Sequence, residues 1–285
     1  MVASETVKQS HYSLAKKGEL SESALDQFNR HRDRIGITTL ERYTGSMAND
    51  FQPYILLTNF KLYVDVFAEK FHQSIKHGSV MRACHSRKER ISIIDYGVGS
   101  PTAALVVELL SFIKPSAVLT LGMCGGLRNE YKVGDFFNPV AAIRGEHTSD
   151  NYIPKQCPSL SSFVIQRFVC EELERRELRY QTGVIHTTNV RFWEFDEKFK
   201  KVLAKERAQA IDMECATLFS VGFARYVPVG ALMLISDLPL KKHRIKTAET
   251  AKGVFEKYTS LHIDTGIAVL KNMQSVEKKG FGYRF

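Results

Sequence analysis

The stretch VPVGALMLISDLPL, from Val227 to Leu240, limits the fold more than any other part of this sequence. Its apolar residues run nearly unbroken from Val227 to Ile235, without the alternation of a strand that has one wet face. Such a run reads as a central strand covered on both sides, as in the parallel sheets of α/β proteins. It is about half the roughly 20 residues that a membrane-spanning helix needs. Ser236 and Asp237 stand where the strand emerges. An aspartate there is partly withdrawn from water, which raises a carboxyl pKa toward the range a general acid needs. A plain turn aspartate ahead of Pro239 is the alternative.

Around this strand the sequence alternates short apolar runs with helical periodicity. Strands are expected at 54–58, 91–96, 117–121, 136–143, 182–187, 210–213 and 229–235, and amphipathic helices at 62–75, 101–113, 160–178, 196–208, 214–224 and 251–273. The fold class is therefore α/β, with helices flanking the sheet. No repeat or Pro-rich linker divides it, so residues 40–274 are expected to form one catalytic domain. Residues 1–39 read as a polar arm containing one helix at 21–34, and residues 275–285 as a basic tail. The hydrophobic share of 44% and charged share of 25% exclude wholesale disorder.

The net charge of +9 would attract polyanions, but the basic residues are scattered, densest at 82–90, 171–179 and 241–246. A small anionic substrate satisfies that distribution, and no nucleic-acid recognition signature is present. Five widely spaced cysteines, in an odd number and without CxxC pairs, suit a reducing compartment. None of the nine histidines forms an HExxH or HxxxH pattern, so neither a metal nor another cofactor is expected. The N-terminus lacks the apolar stretch of a signal peptide, and a cytoplasmic location without membrane attachment is the expectation.

Four further segments could carry chemistry. In IIDYGVGSPTAALVVELL a strand runs into Gly97 and Gly99, with Ser100 suited to cap the next helix and Pro101 to its first turn. The loop could cradle a ribose or phosphate, or be a structural turn. In AVLTLGMCGGLRN, Gly122, Gly125 and Gly126 crowd a strand end, where α/β sites lie; Cys124 reads as packing. In AIDMECAT, Asp212 and Glu214 would share a strand face with Met213 opposite, or cap the following helix. In TGVIHTTNVRFWEFD, Thr188, Arg191, Phe192 and Trp193 offer a hydroxyl, a cation and ring faces that can hold a base and a phosphate; a core aromatic pair beside a surface arginine is the alternative.

Taken together, GVGSPT, LGMCGG, AIDMECAT and LISD occur in the order seen in the nucleoside phosphorylase and nucleosidase superfamily. Within it, ERYTGSMANDFQPYILLTNFKLYVD, CGGLRN, AAIRGEHTSD, TGVIHTTNVRFWE, ISDLPL and IKT resemble the catalytic domain of the AMP nucleosidase family, over about residues 40 to 272. The resemblance implies a mixed, partly closed sheet with a pocket at the strand ends, and a homo-oligomer, dimer to hexamer, in which a neighbouring subunit completes the pocket. It implies hydrolysis of AMP to adenine and ribose 5-phosphate. Glu214 would accept from the ribose hydroxyls, Met213 would pack on the sugar, and Asp237 would protonate the five-membered ring of the base. Arg144, Arg191 and Lys246 are the candidate phosphate cations, Lys246 foremost because IKT follows the SD strand as in the family.

The sequence departs from the family pattern at three points. The lead of about 40 residues is shorter than the N-terminal regulatory domain of many bacterial members, Met123 stands where relatives carry a polar or basic residue, and KKHR at 241–244 is unusually basic. A phosphorylase or nucleosidase acting on unphosphorylated nucleosides is the rival reading, and a non-catalytic nucleotide sensor is the rival of another class.

Overall fold

Ten residues of β5 (Ala117–Gly126), all but one of them buried, form the spine of the molecule. The computed structural model describes residues 22–241, 245 and 247–277. Along one edge β5 pairs in parallel with β10 (Val229–Asp237), the strand expected from the apolar run. Along the other edge it pairs in parallel with β1 (Tyr54–Thr58), but only over residues 117–121. Past that point β5 runs beyond its neighbour, and its open edge is taken by β9 (Ala210–Asp212), antiparallel, at Gly125 and Gly126. Backbone groups left unpaired inside a protein are costly, so the overhang recruits a strand.

That recruitment closes the sheet. β10 pairs antiparallel with β6 (Phe136–Arg144), β6 in parallel with β8 (Tyr180–Thr187), and β8 in parallel with β9, returning to β5. β4 (Ile91–Asp95), β3 (Arg82–Ser86) and the short β2 (Lys76–His77) extend the sheet from β1, and β7 (Ser159–Leu160) adds to β6. This is the mixed, partly closed sheet that the family resemblance implies, flanked by the helices expected from the periodicity.

Alternation sorts the core into two halves. Ile55 and Leu57 of β1 face one apolar cluster, which also holds residues of α3 (Ser100–Ser111) and α6 (Cys215–Arg225). Tyr54 and Leu56 face the other, with α2 (Lys61–Phe71), α4 (Phe163–Arg175) and α7 (Ala248–Glu277). Each fully buried leucine contributes about 1.5–3 kcal/mol. α7 is also pinned by a buried histidine: His262 Nε2 lies 2.8 Å from the Leu232 carbonyl and Nδ1 lies 2.9 Å from the Tyr63 hydroxyl. The carbonyl can only accept, so the ring proton sits on Nε2 and Tyr63 donates to Nδ1. Burial pushes this imidazole down to about 4, so it is neutral at ordinary pH.

The expected strands and helices all appear, most with ends shifted by a few residues, while three strands come as additions. β3 falls on residues noted only for their basic charge: RACHS carries too few apolar side chains to announce a strand, and it is held by pairing with β4. β2 and β7 are two-residue pairings without a sequence signal. The N-terminal helix α1 (Glu22–Thr44) runs ten residues past the expected end at 34. Its buried Gly36 lies against the Phe112 ring, where a Cβ would come within 2.3 Å of it. α5 (Glu197–Glu206) is capped by Asp196, whose carboxylate accepts from the amides of Lys198 and Phe199. Among the described residues, no helix is long and apolar enough to cross a membrane, and no cluster of three potential metal ligands occurs.

Candidate active site

The carboxyl ends of β1, β5, β9 and β10 open onto one cleft with a cavity volume of about 180 Å³. The strand geometry explains its position, because the overhang of β5 and the shortness of β9 leave side chains at the point where the sheet closes.

Glu214 and Asp237 both border this cleft. β9 ends at Asp212, whose carboxylate caps α6: Oδ2 accepts from the amides of Glu214 and Cys215 at 3.2 and 2.7 Å. Oδ1 accepts from the Thr187 hydroxyl at 2.7 Å. Helix capping, one of the two roles weighed for this acidic pair, therefore belongs to Asp212. Glu214 is held differently, its Oε1 accepting from the backbone N–H of Gly99 at 2.8 Å. The expected alternation, with Met213 on the opposite face, does not occur, because the strand stops at Asp212 and the turn brings Met213 to the cleft as well.

Glu214 is 6% exposed. Burial, reinforced by the charge of Asp212, pushes its pKa up to about 8, against the opposing pull of hydrogen bonds from Gly99, Met213 and Asn59. Burial also raises Asp212, although its hydrogen bonds oppose the shift. The cleft therefore holds a proton near this pair at neutral pH.

Asp237 is brought in by a bulge. β10 stays in register with β5 up to Ile235 opposite Cys124, then slips so that Asp237 stands opposite Gly125, with Ser236 as the extra residue. Bulges re-aim side chains at strand ends. The Ser236 hydroxyl donates to Asp237 Oδ1 at 2.8 Å, and Asp237 is partly buried.

The glycine loop is more structural than its composition suggested. Gly97 and Gly99 have φ of +82° and +99°, which side-chain-bearing residues rarely adopt. The Gly97 amide turns back to Asp95 Oδ1 at 3.2 Å, and the Gly99 amide is committed to Glu214. Ser100 is not the N-cap; that position is Gly99, and the Ser100 hydroxyl donates to the Met213 carbonyl at 2.7 Å. The loop thus positions the AIDMEC turn, and of its members only Val98 borders the cleft.

Of the other candidates, Gly125, Thr188, Arg191 and Trp193 border the cleft. Gly122 does not: it is a mid-strand position where a Cβ would come within 2.8 Å of Met233. Phe192 points away and is 73% exposed, with Arg191 over its ring. Arg144 is the clearest correction. Its five N–H groups are spent on Ser149, Asp150 and the carbonyls of Ile153, Pro154 and Cys157. The side chain is 7% exposed, so it braces its own loop and has no donor left for a phosphate. Lys246 lies outside the described residues.

Sequence reasoning missed Asn59, Phe60 and Glu194, all of which border the cleft. Asn59 and Phe60 follow β1, and a strand's carboxyl end was the available signal for them. Met123, the departure from the family pattern, also borders it, beside Cys124.

A model of the phosphorylase superfamily matches residues 53–264. The chain belongs to the phosphorylase superfamily. Among members of known structure, it is similar to AMP nucleosidase from Bacteroides thetaiotaomicron VPI-5482, with 40% identity, a TM-score of 0.77, and coverage of 87% of this chain and 99% of that one. It is also 29% identical to AMP nucleosidase of Escherichia coli (strain K12), over 87% of this chain; it spans 60% of that relative's length. Uridine phosphorylase from Vibrio fischeri ES114 shares the superfamily fold at 20% identity, with a TM-score of 0.71.

Proposed function

We propose that the protein hydrolyses the N-glycosidic bond of AMP, releasing adenine and ribose 5-phosphate. The observation that carries this reading is the meeting of Glu214 and Asp237 at one cleft, from strands remote in sequence. The similarity to AMP nucleosidases over most of the chain supports the choice of nucleotide.

Breaking the bond leaves positive charge on the sugar and negative charge on the base. A proton from Asp237 to the five-membered ring of the base neutralises the leaving group. Glu214, once ionised, accepts from the ribose hydroxyls and faces the developing cation, an interaction that strengthens toward the transition state. Met213 packs on the sugar. The ribose hydroxyls and the cationic centre favour the charged carboxylate, so substrate binding drives off the proton held by Glu214. Water then attacks the anomeric carbon, and the proton it sheds passes to the Asp237 carboxylate, restoring the acid. Lys246, on the segment that follows β10, supplies the charge that pairs with the 5-phosphate.

Purified protein incubated with AMP in phosphate-free buffer is expected to release adenine and ribose 5-phosphate. Turnover that requires inorganic phosphate, or cleavage of adenosine but not AMP, would replace this reading with that of a nucleoside phosphorylase or nucleosidase. Tight AMP binding without product would make the protein a nucleotide sensor.

A further inference from the structure

Glu194 and Asn59, both bordering the cleft, each carry a buried side-chain oxygen without a hydrogen-bond partner, and Glu194 is the charged one of the two. Its side chain is 4% exposed, yet it borders the cavity. Oε1 accepts from Arg191 Nη1 at 3.1 Å. Oε2 is buried and has no hydrogen-bond partner. A carboxylate oxygen kept from water without a donor is destabilising, so its persistence in a cavity wall points to a donor on the occupant.

Two other polar groups of the wall have partners within the protein. Asp212 is used by Thr187, Glu214 and Cys215, and the Thr188 hydroxyl accepts from the Val190 amide. Trp193 and Ile211 give the adjoining wall its apolar surface, belonging to one buried cluster. An acceptor beside such a surface suits a flat heterocycle that carries an N–H on its edge. The neighbouring guanidinium orients Glu194 while remaining half-exposed at the rim.

We infer that Glu194 is the residue that selects the base: its Oε2 accepts an N–H of the exocyclic 6-amino group of the purine. This rests on the proposed cleavage of a purine nucleotide. A 6-oxo purine would set a carbonyl oxygen against the carboxylate and leave Oε2 unpaired, and discrimination is large where a buried polar group is left without its partner. Arg191 acts through Glu194 as a positioning residue.

The test compares kcat/KM for AMP and IMP in the wild type and in Glu194→Gln. The amide keeps the shape and can donate to the 6-oxo group, so the preference for AMP should fall by roughly tenfold or more. A purely structural role would lower both substrates together and leave the ratio unchanged, which overturns the inference. A second measurement needs no variant. Wild-type protein should cleave purine riboside 5-monophosphate, which lacks the amino group, at least about tenfold less efficiently than AMP. Equal efficiency overturns the inference even if the variant does not fold. Absence of adenine release from AMP by the wild type would instead reject the underlying nucleosidase reading.

Discussion

The backbone N–H of Gly99 donates to Oε1 of Glu214 at 2.8 Å, joining two turns 115 residues apart in sequence. The glycine is required there because φ is +99°. This bond ties the loop after β4 to the one after β9, and it holds one carboxylate oxygen of Glu214 against rotation.

Glu214 should make the free protein less stable as pH rises. Its folded pKa of about 8 lies above the ordinary value of 4.5, so the folded state binds the proton more tightly. The associated stability is full below pH 4.5 and is lost as pH climbs through about 8. Glu214→Gln, which cannot ionise, should show a flatter melting temperature between those limits. Binding of a non-cleavable AMP analogue near neutral pH should release a proton from the wild type, seen as a buffer-dependent heat, and less from the variant. Parallel pH profiles for the two proteins would contradict the assignment.

Asp237→Asn should lower kcat by on the order of a hundredfold or more, because the amide cannot deliver the proton to the base. Asp237 is only partly buried, at the end of a strand, so the melting temperature should change little. Adenine release in single-turnover experiments checks the rate. Near-wild-type turnover would remove Asp237 from the mechanism.

Arg144→Ala should act on stability. Losing five hydrogen bonds from a buried guanidinium takes a donor from the carbonyls of Ile153, Pro154 and Cys157, at a cost of about 3 kcal/mol, while Asp150 keeps His147 and Lys155 beside it. Chemical denaturation measures the loss. Below the melting transition, KM for AMP should stay within about threefold of wild type, since this arginine has no donor free for the phosphate.

Lys246→Ala should raise KM for AMP by roughly tenfold, as expected for one charge-assisted contact to phosphate, and leave cleavage of adenosine unchanged. A matched fall for both substrates would mean that the lysine does not read the phosphate.

The sequence by itself determined the layers of this protein. The unbroken apolar run before Ser236 and Asp237 marked β10, and the period of the flanking segments marked the helices, because burial imposes a pattern that local residues must obey. It also marked Asp237, Glu214, Thr188 and Trp193 as candidates, since strand ends and the motif order pick them out. What only the tertiary structure decided is how bonds are shared among groups far apart in the chain. Arg144 looked like a phosphate cation until its five donors were seen to be spent on one loop. Glycines 97 and 99 looked like an anion cradle until their amides were seen to bind Asp95 and Glu214. Glu194 lay inside a family-like segment but was not singled out, because an unsatisfied oxygen is defined by everything that surrounds it. A residue's type states which hydrogen bonds it can make, and only the closed sheet determines which of them remain for a ligand.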